Sequence, residues 1–588
     1  MSRAARLVTF VLLILWLSAS CSRNSITHVT ILQTTDIHGT ILPYDYIENR
    51  KMDVSLAHIA SYVKKQRSET DAVVLLDGGD ILQGQPLVYY HNFIDTVSPH
   101  IVPEALNWLK YDAETVGNHD IEAGHSVYDK VTREYDFPLL GANAVDIKSG
   151  KPYFTPYVIL NKNNFRIAVL GLITPAVPNW LPPELYSGIE FRDMVETAEK
   201  LMPEILKQKP DLVVGLFHAG WNSDNEDYKQ NIPFAENGSA AVAYNVPGFD
   251  IIFTGHDHRA AVEQFLNRKG DTVLLLNAGS RSENIARADV SFSGNKSKGK
   301  RAGTISGKLI EVKNLNPDPD FIARFKSNDE AIREYSGRVI GESASSISTR
   351  DSYFGSSAFV DMLHSAQLEI TGADLSFAAP LSFDVRIDKG PIRVSDMFKL
   401  YRYENLLYTI TMTGEEIKKY LEFSYGEWLN TMKSPDDYLL KYRTDKNGKP
   451  VIINGETWLK NPSYDFDSAA GIDYTVDVTK PQGERIRIIS FSDGRKFEMK
   501  KSYRVAVNSY RGNGGGGHLT EGAGIDRKEL SSRLLFSTER DLRYYILKSI
   551  EEKKTINPKP LNNWRIIPEE WVKKAELRER RLLFGKNN

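Results

Sequence analysis

Residues 29–39 read Val29-Thr30-Ile31-Leu32-Gln33-Thr34-Thr35-Asp36-Ile37-His38-Gly39, an apolar run with β-branched residues that passes into an aspartate, a histidine and a glycine. Short continuous runs of this type suit strands buried on both faces. More of them follow at 72–76, 166–170, 211–216, 250–253 and 272–276. Between them, stretches such as 55–67 and 194–207 bring apolar residues to one face at helical spacing. From Ile26 to about Ala288, strand-like and helix-like segments alternate, which predicts an α/β domain with helices covering a sheet.

The residues just after the strands share a character. The first run leads into Asp36 and His38, and 72–76 leads into Asp77-Gly78-Gly79-Asp80. Residues 112–116 lead into Gly117-Asn118-His119-Asp120, 211–216 into Phe217-His218, and 250–253 into Thr254-Gly255-His256-Asp257-His258. In open α/β sheets ligands bind beyond the carboxyl ends of the strands, so residues spread over two hundred positions are expected to converge. Of the 12 histidines, five stand in these strand-end motifs. Imidazole with carboxylate and amide oxygen suits Mn, Zn, Fe or Co better than calcium. Asp36, His38, Asp80, Asn118, His218, His256 and His258 make a candidate ligand set too large for one ion that also holds water. Two ions bridged by Asp80 suit it, and such a pair can clamp the attacking and leaving oxygens of a phosphoryl displacement.

The chain has 588 residues and a formal net charge of -2, with no global basic field to concentrate nucleic acid. Arg3 and Arg6 precede an apolar run from Leu7 to Leu17, too short to span a bilayer, which takes about 20 residues. Residues 1–21 therefore read as a signal peptide rather than an anchor helix. Cys21, the only cysteine, follows Ser18-Ala19-Ser20 where bacterial lipoprotein signals carry their acylated residue. An exported lipoprotein is expected, periplasmic or on the cell surface, tethered to the membrane by a lipid on Cys21 and without an obligate protein partner.

The expected organisation is a first domain over 26–315, a linker helix within 316–340, a second domain over 341–566 and a basic tail over 567–588. The second domain mixes helices (357–371, 414–424) with strands (406–412, 474–479, 503–508) and reads as α+β.

The blocks Thr35-Asp36-Ile37-His38-Gly39, Gly78-Gly79-Asp80, Gly117-Asn118-His119-Asp120 and Gly255-His256-Asp257-His258 resemble the motif set of the calcineurin-like metallophosphoesterases. With the C-terminal half included, the chain is similar to the 5′-nucleotidase family, in particular its bacterial 2′,3′-cyclic-nucleotide 2′-phosphodiesterase/3′-nucleotidase branch. The resemblance implies a layered α/β/β/α phosphoesterase domain followed by a smaller α+β 5′-nucleotidase C-terminal domain. It implies two divalent ions (Mn, Zn, Fe, Co or Mg), one on Asp36, His38, Asp80 and His258, the other on Asp80, Asn118, His218 and His256. His119 would offset charge on the phosphoryl group or the leaving oxygen. Glu122 stands where relatives pair an aspartate with that histidine, and orienting Asn118 is the other reading of His119.

The resemblance also implies that the second domain holds the nucleobase between two rings. Tyr403 in Leu400-Tyr401-Arg402-Tyr403-Glu404-Asn405 stands in the first stacking place, with Asn405 near the base. Tyr464 or Phe466 supplies the second ring. Arg511, opening the glycine-rich run 511–518, and Arg386 are expected near the substrate. The function so implied is hydrolysis of 2′,3′-cyclic nucleotides and 3′-nucleotides, with a 5′-nucleotidase or UDP-sugar hydrolase, or a non-catalytic nucleotide binder, as alternatives.

Overall fold

The computed structural model describes residues 27–585 except 71, 163–164, 223–225, 231, 294–301 and 454–455. The expected signal peptide and Cys21 lie outside the described residues. The two large sheets of the first domain are built, among the described residues, from β1 (Thr27–Thr34), β2 (Val73–Asp77), β3 (Ala113–Thr115), β4 (Leu139–Leu140), β5 (Tyr157–Lys162), β6 (Phe165–Ile173), β7 (Leu212–His218), β8 (Ile251–Thr254), β9 (Ala261–Leu266), β10 (Thr272–Asn277), β11 (Asn284–Ser293) and β12 (Ala302–Glu311). Both are six-stranded, ordered β12-β11-β1-β2-β3-β4 and β9-β10-β8-β7-β6-β5.

β1 to β4 pair in parallel, as do β6, β7, β8 and β10. Strands covered on both sides have no polar face, which is why they read as unbroken apolar runs. Val29, Ile31, Val74 and Leu76 of one sheet meet Val169, Val214, Leu216 and Phe253 of the other in a core between the sheets. The alternate residues Leu32, Val73 and Leu75 face a helical layer that includes Leu56–Glu69 and Ile101–Leu109. Ala168, Leu170, Val213 and Ile252 face Met194–Lys207 and Ser239–Asn245. The result is the α/β/β/α layering expected.

The charged segment after the first domain forms two helices, Pro319–Arg324 and Lys326–Gly337, rather than one. The break falls at Phe325, whose ring packs on Phe321 in the first domain's core. The second domain centres on a five-stranded sheet ordered Ser468–Ala470, Leu375–Ala378, Ser502–Asn508, Leu406–Thr413, Leu534–Asp541, flanked by helices including Ala358–Thr371 and Gly414–Trp428.

The expected basic tail is a correction. Glu569–Phe584 is a helix whose Val572, Ala575 and Leu583 enter the second domain's core. Glu579 on its inner face is fully buried and accepts the Leu439 and Leu440 N–H groups at 2.7 and 2.9 Å. The basic residues lie on the outer side of an amphipathic helix. No helix among the described residues is long and apolar enough to cross a membrane.

Candidate metal centre and interdomain cleft

The carboxyl ends of β1, β2, β3, β7 and β8 lie together, and the turns that leave them are sharp. Asp36, His38, Asp80, His256 and His258 all take positive φ, at 50°, 49°, 59°, 76° and 57°. Gly79 takes φ 87°, and Gly117 has no room for a side chain, since a Cβ there would stand 2.1 Å from Asp80 Oδ1. Asp120 fixes the turn after β2 by accepting the N–H groups of Asp80, Ile81, Leu82 and Gly117 at 2.8 to 3.0 Å.

Two donor groups result, Asp36 with His38 and His258, and Asp80 with His218 and His256. In the first, His38 Nε2 and His258 Nε2 face each other at 3.0 Å and His258 Nε2 stands 3.3 Å from Asp36 Oδ1. In the second, His218 Nε2 is 3.1 Å from both Asp80 Oδ2 and Asn118 Oδ1, and His256 Nδ1 is 2.8 Å from the same amide oxygen.

The remote nitrogen of three of these rings is also held. His38 Nδ1 meets the Gln83 carbonyl at 3.3 Å, His218 Nδ1 the Gly78 carbonyl at 2.6 Å, and His256 Nε2 the Glu236 carboxylate at 3.1 Å. Such contacts select the tautomer that turns the other nitrogen toward a metal.

Paired imidazole nitrogens facing each other among buried carboxylates fit cations better than they fit one another, so the donors suit two divalent ions of the N/O-binding class. When bound, two such ions offset charge on phosphoryl oxygens and make water a nucleophile near neutral pH.

Burial would raise both Asp36 and Asp80, yet the facing histidines hold both below the ordinary carboxylate value. Burial lowers His38 to about 4. His218 is pushed up to about 9, Asp80 outweighing the burial that opposes its charge.

His119 stands at the first donor group, its ring 5.5 Å from that of His38. Its Nδ1 bonds to Glu122 and its N–H donates to Asp80 at 2.8 Å. Burial again opposes its charge, but Asp80 and Glu122 raise it to about 10. With Nδ1 taken, Nε2 is the nitrogen left for the cleft that His119 lines.

That cleft, of about 1000 Å³, runs between the domains from the donor groups to Tyr403, Asn405 and Tyr464. Tyr464 is 37% exposed, whereas Phe466 is 1% exposed and stacked on Trp428 at 5.2 Å. Tyr464 is therefore the ring that faces the cleft, and Phe466 belongs to the core. Tyr403 and Tyr464 meet edge to face, 6.3 Å apart at 90°, so they do not stand as a parallel clamp.

Arg511 is a second correction. Its side chain is 3% exposed and spent on Asp467 at 3.0 Å, the Gly515 carbonyl at 3.1 Å and the Tyr464 carbonyl at 2.6 Å. A buried guanidinium needs such partners, and these hold the glycine-rich loop and Tyr464 in place. Arg386 is a third correction, since its side chain is 66% exposed, pairs with Asp388 at 2.6 Å and does not line the cleft.

Cleft residues outside the expected set include Trp180, Tyr510, Arg281 and Arg402. Trp180 stacks on His256 at 5.4 Å and 28°. Arg281 follows β10 and donates its N–H to the Asp36 carbonyl at 2.8 Å. The strand-end rule applied to β10 would have flagged it, and Tyr510 adjoins Arg511 in the quoted glycine-rich run.

Residues 29–260 match the calcineurin-like phosphoesterase family and residues 339–521 the 5′-nucleotidase C-terminal domain. The chain is 27% identical over 92% of its length to the trifunctional nucleotide phosphoesterase protein YfkN of Bacillus subtilis, of which it spans 39%. It is 26% identical over 94% of its length, and 89% of the relative's, to a 2′,3′-cyclic-nucleotide 2′-phosphodiesterase/3′-nucleotidase of Haemophilus influenzae. A Staphylococcus aureus structure bearing a provisional 5′-nucleotidase name shares the fold, with a TM-score of 0.74 at 19% identity over 92% of this chain and all of that one. The chain is thus a calcineurin-like phosphoesterase domain joined to a 5′-nucleotidase C-terminal domain.

Proposed function

We propose that the protein is a metal-dependent phosphoester hydrolase acting on nucleotides, with 2′,3′-cyclic nucleotides and 3′-nucleotides as substrates and nucleoside and phosphate as final products. One observation carries this reading. A single cleft has two metal donor groups at one end and the tyrosines of the second domain at the other. Aromatic faces accept any base, which suits a scavenging hydrolase.

In this reading Asp36, His38, Asp80 and His258 hold one cation, and Asp80, Asn118, His218 and His256 hold the other. Asp80 serves both. Tyr403, Tyr464 and Tyr510 line the part of the cleft that takes the base, and Asn405 offers it an amide. His119, oriented by Glu122, places Nε2 to offset charge on the phosphoryl group or the leaving oxygen, and fixed donors of this kind need no reorganisation during the reaction. Arg281 and Arg402, which line the cleft, are the cations assigned to non-bridging oxygens in place of Arg386 and Arg511.

The relatives named for cyclic-nucleotide and 3′-nucleotide hydrolysis support the substrate class. Export and a lipid on Cys21 remain part of the proposal, supported by the leader-like sequence of residues 1–21. Product analysis with 2′,3′-cyclic AMP, 3′-AMP, 5′-AMP and UDP-glucose in parallel, with manganese present, tests the reading. Adenosine from the first two but not the third is expected. Turnover confined to 5′-AMP or UDP-glucose would move the assignment to the 5′-nucleotidase class, and turnover of none would leave only a binder.

A further inference from the structure

Tyr89 belongs to the first domain and is buried in the second. It lies on the helix Pro86–Phe93 and is 4% exposed, in a cluster whose other fully buried members among the described residues all lie from Ile340 onward. Its ring stands edge-on to Phe398 at 5.3 Å, and the Arg543 guanidinium lies 4.8 Å from its centre. Its hydroxyl donates to Asp541 at 2.9 Å, and Asp541 caps the helix Leu542–Lys553.

Both sides of this junction lead to the cleft. On the first-domain side, Gln85 immediately precedes the Tyr89 helix and donates its N–H to the His38 carbonyl at 3.3 Å, while the Gln83 carbonyl holds His38 Nδ1 at 3.3 Å. On the other side, Arg543 donates to the carbonyls of Tyr401 and Arg402 at 2.9 and 2.8 Å and to the Glu404 carboxylate at 3.1 Å. The Leu542 N–H donates to the Asn405 carbonyl at 2.9 Å. Two neighbouring residues at one helix start therefore hold the segment 401–405, which carries Tyr403 and Asn405 into the cleft.

We propose that Tyr89 is a positioning residue that sets the distance between the His38 loop and the base-facing segment 401–405, and so selects which ester position of a bound nucleotide reaches the metal donors. Tyr89 does not line the cleft and acts only through the two segments it joins. The inference rests on the nucleotide reading above. It requires that a substrate spanning both domains respond to Tyr89 and that one confined to the metal end do not. In bis(p-nitrophenyl) phosphate the ring adjoins the phosphorus, whereas a nucleobase stands a ribose away.

Tyr89→Phe keeps the ring and removes the cross-domain hydrogen bond; Tyr89→Ala removes both. Each is to be assayed with 3′-AMP, 5′-AMP and bis(p-nitrophenyl) phosphate, with bound metal measured alongside. For 3′-AMP, kcat/KM is expected to fall about fivefold in the Phe variant, the scale of one hydrogen bond. In the Ala variant it is expected to fall about a hundredfold, the scale of a misplaced substrate. The loss should come mainly through KM, with the preference for 3′-AMP over 5′-AMP narrowed and aryl ester hydrolysis and metal content unchanged. A parallel loss on both substrate types, or no change in either variant, overturns the proposal. A wild-type protein that cleaves the aryl ester but no nucleotide overturns the nucleotide reading itself, and the proposal with it.

Discussion

Asp36, His38, Asp80, His256 and His258 all sit in the left-handed backbone region, where residues other than glycine are strained and which recurs at functional sites. Asp80 is the one shared by both expected cation sites, meeting His218 at 3.1 Å and the His119 N–H at 2.8 Å. Asp80→Ala should abolish both metal retention and turnover, read by elemental analysis and phosphate release. His119→Ala should keep its metal and lose about 100- to 10,000-fold in kcat, the range for a positioned acid or base. Full activity in that variant would remove His119 from the chemistry. Away from the metals, the buried Asp467–Arg511 pair holds the glycine-rich loop. Burial opposes ionised Asp467, but Arg511 and His518 hold its pKa below the ordinary value. A depressed carboxylate contributes stability above its unfolded pKa and loses it as pH falls through the folded one. The gap in melting temperature between wild type and Asp467→Asn should therefore be constant from about pH 5 to 7 and shrink below about pH 4. Asp467→Ala, which strips Arg511 of its main partner, should cost about 3–5 kcal/mol in a denaturant titration.

At the scale of elements, the turns after the strands carry the site, and Gly84, like Gly117, leaves no room there for a side chain. Gly84 takes φ 126°, and a Cβ there would stand 2.5 Å from the His38 carbonyl oxygen. Gly84→Ala should displace His38 and weaken metal binding about 10- to 100-fold, the loss typical of disturbed outer contacts, as measured by metal titration. These elements are also where the sequence is most readable. The strand cores are apolar on both sides, and Met194–Lys207 keeps helical spacing along its length, so both periods stand out. Other features depend on distant partners and leave no local mark. Tyr464 lies inside a 3-10 turn (Ser463–Asp465) and Phe466 directly after it, where residues two apart share no fixed face, so spacing alone does not separate cleft from core. Arg511 looks like an anion contact until Asp467, 44 residues away, is seen to occupy it. The C-terminal helix hides its role because Glu579 serves backbone N–H groups at 439–440, which no motif announces.

For the whole molecule, the two domains matter through the cleft they share. The metal donors all come from the first domain and were legible, because their types and places after strands follow one rule. The wall opposite comes from the second domain, and how the domains meet rests on single contacts such as Tyr89 to Asp541 that have no sequence signature. The measurement that tests the central claim most directly is metal stoichiometry on the purified chain, coupled to phosphate release before and after chelation. Two divalent ions per chain are predicted, with activity lost on chelation and restored by manganese. A chain that binds no transition metal, or that releases phosphate equally well when stripped of it, would contradict the account.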